Sequence, residues 1–152
     1  MAEAPMPAFI AALVYKDNRA ALAWLEKAFG FEISELLTDS KDDIVFAEMS
    51  RGDGFVRISS EFADWTKSPS SIGGFNTQRM FVYLDSGIDA HCEHARNAGA
   101  KIFMEPNETF YGHRTYVAID PEGHYWTFFQ VTKHATAADY EKAGFKSKKL
   151  GR

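Results

Sequence analysis

The chain holds a single cysteine, Cys92, among 152 residues, so no disulfide can form within it and the core must hold by packing alone. Long apolar runs are missing as well: nothing approaches the roughly 18 apolar residues that a membrane-spanning helix needs. The amino-terminal segment MAEAPMPAFIAALVY has neither a basic start nor an extended apolar centre, which makes a cytoplasmic protein the expectation. Positive charge is scarce, with 17 Lys and Arg against 21 Asp and Glu and a net charge of −4. Nucleic-acid binding normally requires a basic stripe, so that class is not expected. No Gly-rich phosphate loop and no Ser-His-Asp or Cys-His arrangement can be assembled from the sequence.

Aromatic residues are abundant. They make up 14% of a chain that is otherwise ordinary for a globular domain, at 45% apolar and 25% charged residues with a mean hydropathy of −0.30. The length suits one domain able to bury roughly 70% of its unfolded surface. A surplus of Phe, Tyr and Trp therefore calls for a core or for a ligand cavity.

The order of segments repeats. AFIAALVY reads as a buried strand, Asp17 as the cap of a helix whose apolar positions Ala21, Leu22, Leu25, Ala28 and Phe29 form one stripe, and Gly30 as its left-handed terminus. FEISELL follows as a strand, then IVFAEMS and GFVRISS as a hairpin. From residue 79 the same order returns: RMFVYL, a helix capped at Ser86 with Ile88, Cys92 and Ala95 inward, Gly99, KIFME, and a last hairpin of RTYVAI and HYWTFFQV around the turn DPEG. Asp17 and Ser86, Gly30 and Gly99, and Ile33 and Ile102 are each 69 residues apart. The expected organisation is one domain of two modules, 8–60 and 79–131, joined by a Ser- and Gly-rich linker at 61–78. A basic tail at 132–152 with a short helix near Ala137 to Ala143 completes it, carrying six basic residues against two acidic ones.

The duplicated βαβββ plan, the opening VYKDNRAALAWLEKAFGFE, the helix GIDAHCEHARNAGAKI and above all the closing YGHRTYVAIDPEGHYWTFFQ resemble the vicinal oxygen chelate superfamily of glyoxalases and bleomycin-resistance proteins. The resemblance spans about residues 8–131. It implies an α+β fold whose two modules form an open, barrel-like curved sheet around a cavity, commonly in a homodimer. Metal-dependent members draw one ligand from the first and last strand of each module, and the matching positions here are Ile10, Arg57, Arg79 and Thr127. Ile10 has no donor atom, and a guanidinium stays protonated and repels a cation. The sequence therefore reads as a member without metal or other cofactor.

The cavity candidates follow from strand alternation. If Arg79 points inward, Phe81 and Tyr83 share its face while Met80, Val82 and Leu84 face the helix, and on the last strand Tyr125, Thr127 and Phe129 share one face and Trp126 and Phe128 the other. Arg57 and Arg79 would hold an anionic group among these aromatics, unless Glu48 or Glu105 pairs with them. His113 would sit in a loop at the mouth. His91 and His94 stand three residues apart on a helix, a spacing that can bind metal but that reads here as a solvated face, and His124 reads as a turn residue. Three functions remain: a protein binding or sequestering a small aromatic or anionic molecule, a metal-dependent lyase, isomerase or dioxygenase of the same family, or an interaction module whose cavity its own side chains fill.

Overall fold

The computed structural model describes residues 5–150; Arg152 of the basic tail lies outside them. The first module runs β1 (Ala12–Tyr15), α1 (Asn18–Phe29), β2 (Glu32–Thr38), β3 (Ile44–Arg51) and β4 (Gly54–Ser60). The second runs β5 (Met80–Tyr83), α2 (Ile88–Asn97), β6 (Lys101–Glu108), β7 (His113–Ile119) and β8 (Tyr125–Val131), followed by α3 (Ala137–Lys142). No helix among the described residues is long and apolar enough to cross a membrane.

Local chemistry sets these elements. Asp17 Oδ1 accepts the Ala20 N–H at 2.9 Å and opens α1, and Gly30 ends it at φ 73°, its N–H bonded to the Glu26 carbonyl, a backbone geometry that suits glycine. α2 departs from expectation at its start. Ser86 does not cap it: Gly87, at φ 73°, turns the chain into the helix without a side-chain cap, and Gln130 Oε1 on β8 accepts the Ile88 N–H at 3.3 Å instead. A residue distant in sequence supplies what a local cap normally would.

Each module builds one four-stranded mixed sheet, in the orders β1-β4-β3-β2 and β5-β8-β7-β6. The first strand pairs parallel to the last and the other pairs are antiparallel. The sheets are curved and open, not closed into a barrel. In the second sheet, Trp126 sits between Met80 and Ala118, and Phe128 between Val82 and Tyr116. Strand alternation sends this set toward the helices, where Trp126, Phe128, Tyr116 and Ala118 are completely buried.

One core serves both modules. The Phe29 ring at the end of α1 lies 4.8 Å from Phe128 and 5.5 Å from Trp126, and Trp24 Nε1 donates to the Ala98 carbonyl at 3.2 Å. The turn 120–124 adds a polar clasp. Asp120 Oδ2 accepts from the Tyr15 hydroxyl at 2.6 Å and from Trp126 Nε1 at 3.0 Å, while Oδ1 accepts the N–H groups of Glu122 and His124. The Glu122 carboxylate accepts the N–H groups of Lys16 and Asp17 at 2.6 and 3.1 Å, and His124 Nε2 donates to the Val14 carbonyl at 2.8 Å. His124 is thus the turn residue the sequence suggested, and its bond reaches across to the other module.

The carboxyl-terminal segment stays exposed, with no buried residue in α3, and touches the body through aromatic rings on Phe110. Thr136 and Asp139 form a reciprocal capping box on α3, and the Phe145 ring stacks on Phe110, between β6 and β7, at 5.0 Å and an interplanar angle of 2°.

Removing the Asp120 carboxylate strands two side-chain donors and two backbone amides in a site that is 4% exposed. Asp120→Ala should cost about 3–5 kcal/mol, whereas Tyr15→Phe, which removes one donor, should cost about 1 kcal/mol. Urea unfolding of both variants checks the difference.

Candidate functional site

The expected face exists. Phe81 and Tyr83 on β5 lie opposite Thr127 and Phe129 on β8, and Tyr125 and His113 follow in the same alternation. The rings of Tyr83 and His113 approach that of Phe129 to 5.6 and 5.0 Å, with His113 stacked on it, and Tyr125 meets Phe103 at 5.3 Å. Thr127 is buried among them, whereas Phe81 and Tyr83 are each 55% exposed. His113 opens strand β7 rather than sitting in a loop, because the chain turns at Thr109–Gly112, where the Thr109 N–H bonds to the His113 carbonyl. Thr115 and Phe103 also belong to this surroundings and escaped the sequence reading. Thr115 could have been found from the alternation of RTYVAI; Phe103 lies on a strand whose register shifts, which hides its face.

The two arginines are not brought together. Arg57 lies on the first sheet opposite Glu48, with its guanidinium 5.3 Å above the Phe46 ring. Arg79 precedes β5, with its guanidinium 5.1 Å above Phe81. Both are exposed, which corrects the expectation of inward, desolvated guanidinium groups. Neither forms the internal ion pair considered above, among the described residues. Glu48 accepts from the Ser34 hydroxyl, and Glu105 is engaged by Arg96 at 2.6 Å. Arg79 and Tyr125 share a shallow cavity of about 510 Å³ with Phe75, Asn76 and Gln78 of the linker.

Of the helix histidines, His94 is exposed, as the solvated reading expects, whereas His91 is partly buried. His91 Nε2 faces the Phe29 carbonyl at 3.1 Å, and a carbonyl can only accept, so Nε2 carries the proton and Nδ1 accepts from the Tyr116 hydroxyl at 2.6 Å. Burial lowers the His91 pKa and raises that of Tyr116. His94 Nε2 likewise donates to the Lys27 carbonyl at 2.7 Å. Both rings join α2 to the end of α1.

The positions that would carry a family metal do not fit one. A hydrocarbon, two cations held over aromatic rings and a threonine offer no set of anionic or imidazole donors. Among the described residues Cys92, Glu93 and Glu105 are close enough to share an ion. The Arg96 guanidinium already lies between the two carboxylates, and burial pushes the Cys92 thiol up to about 11.

The family model for the glyoxalase/bleomycin resistance protein/dioxygenase superfamily matches residues 9–128. The chain belongs to that superfamily. An uncharacterised Mycobacterium tuberculosis protein is 25% identical over 142 residues, covering 90% of this chain and 82% of the relative. Among solved structures, TioX from a Micromonospora species superposes with a TM-score of 0.67 at 27% identity, over 83% of this chain and 99% of TioX. The fosfomycin resistance protein FosX from Listeria monocytogenes shares the superfamily fold at a TM-score of 0.61 and 14% identity, over 90% and 98% of the two chains.

His91 supplies a pH signature. Its folded pKa is depressed, so the unfolded chain, with a histidine pKa of about 6.5, takes up the proton first as pH falls. Its contribution is complete above about pH 6.5 and is lost below it, until the folded ring protonates as well. The melting-temperature gap between wild type and His91→Gln should therefore narrow from pH 7.5 to pH 5.0, measured by circular dichroism.

Proposed function

We propose that the protein binds and sequesters a small aromatic or anionic organic molecule, without metal, on the open face of the second sheet. The observation that carries this reading is Arg79: a guanidinium held over Phe81 at 5.1 Å, without a carboxylate partner among the described residues, at the rim of a cavity that Tyr125 also lines. A cation fixed over an aromatic ring keeps its donors free for a ligand carboxylate or phosphate. The aromatic group of the ligand would lie along Phe81, Tyr125 and Phe129, with the Thr127 hydroxyl between them. The enzymatic alternative, a metal-dependent lyase, isomerase or dioxygenase, needs donor atoms that Ile10, Arg57, Arg79 and Thr127 do not supply.

The homodimer implied by the family belongs to the same proposal. The linker presents Phe62, Trp65 and Phe75 at 64%, 79% and 76% exposure, more aromatic surface than a segment of this length normally leaves to water. A second copy would cover it. A monomer by light scattering at 100 μM, about the concentration of a structural sample, would remove this part of the proposal.

Calorimetry on EDTA-treated protein with benzoate, 2-naphthoate and their amides tests the binding reading. The carboxylates should bind and the amides should bind more weakly. Because Arg79 is exposed, Arg79→Ala should weaken carboxylate binding by about fivefold, or about 1 kcal/mol, with no change in melting temperature. Equal affinity for acids and amides, or unchanged affinity in the variant, would refute the role of Arg79.

A further inference from the structure

A groove of about 700 Å³ separates the β3–β4 hairpin of the first module from β5 of the second. Met80, Phe81, Val82 and Tyr83 all border it, although their side chains alternate between the two faces of the sheet. The groove therefore follows the outer edge of β5, which pairs with no other strand. Its volume is in the range of small-molecule sites. Phe31 and Trp126, both buried, form the deep wall, and Phe55, Phe81 and Tyr83 form the sides.

The charge here is opposite to that at Arg79. Glu32, Asp53 and Asp85 line the groove against the single guanidinium of Arg51. None of the three carboxylates takes part in an ion pair within the described residues. Unpaired carboxylates around aromatic walls suit an apolar body carrying a positive centre: the body covers Phe31 and Phe55, and the charge meets carboxylates and the Tyr83 ring.

We propose that this groove is a second binding site, for an amphipathic organic cation such as a protonated amine or quaternary ammonium compound with an aromatic or branched apolar body. The site does not depend on the anion reading at Arg79, and its charge makes the two experimentally separable.

Tetraphenylphosphonium and tetraphenylborate have the same shape and opposite charge, so calorimetry with this pair in the Arg79→Ala background reads the sign of the groove directly. The phosphonium should bind one per chain and the borate at least tenfold more weakly. Joint replacement Glu32→Gln, Asp53→Asn and Asp85→Asn should lower phosphonium affinity about tenfold, from roughly a twofold effect at each exposed charge. Arg51→Gln should raise it about twofold, a gain that misfolding cannot produce. The inference is overturned if the borate binds as tightly, if the triple variant keeps full affinity, or if the phosphonium does not bind. A dimer whose partner fills the groove would give that last outcome.

Discussion

One buried carboxylate holds the two halves of this protein in register. Asp120 takes two hydrogen bonds from its own turn, one from the hairpin ring Trp126 and one from Tyr15 of the first module. Charge-assisted bonds are stronger than neutral ones, and in a low-dielectric setting the loss of any partner is costly. Burial and the neighbouring carboxylates raise the Tyr15 pKa well above its ordinary value, so the phenol keeps its proton and remains a donor at any physiological pH. Glu122, two residues on, satisfies the backbone where α1 begins. A local turn thereby orients a helix more than a hundred residues earlier in the chain.

This clasp explains how one aromatic hairpin can have two uses. With Trp126 and Phe128 committed to the shared core around Phe29, strand alternation leaves Tyr125, Thr127 and Phe129 on the opposite face. The buried set fixes the position of the open set: a one-residue slip on β8 would expose Trp126 and break its bond to Asp120. The candidate binding face is consequently held in register by the core behind it, which limits the ordering cost of recognising a ligand.

Much of the architecture was legible because it rests on local signals. The Asp17 cap, the left-handed Gly30, the inward stripe of α1 and the turn around Gly123 all appear where residue chemistry requires them, and alternation correctly divided the residues of β5 and β8 between faces. The errors arose where partners are distant in sequence. Ser86 looked like a cap because a serine precedes the apolar stripe, yet Gln130, 42 residues beyond Ile88, serves the first amide of α2. His91 looked solvated because its neighbours are polar, but packing of α2 on the end of α1 brings a carbonyl and a tyrosine to it. Arg57 and Arg79 were placed on plausible faces, whereas their exposure depends on sheet curvature that no local pattern encodes.

Ligand binding at the second sheet's open face is proposed to need no metal. Amide chemical-shift mapping of ¹⁵N-labelled, EDTA-treated protein titrated with 2-naphthoate tests it most directly. Saturable shifts are expected, clustered at Arg79, Phe81, Tyr125, Thr127 and Phe129 and unchanged when zinc or nickel is added. Shifts that appear only with added metal, or that fall outside β5 and β8, would contradict it.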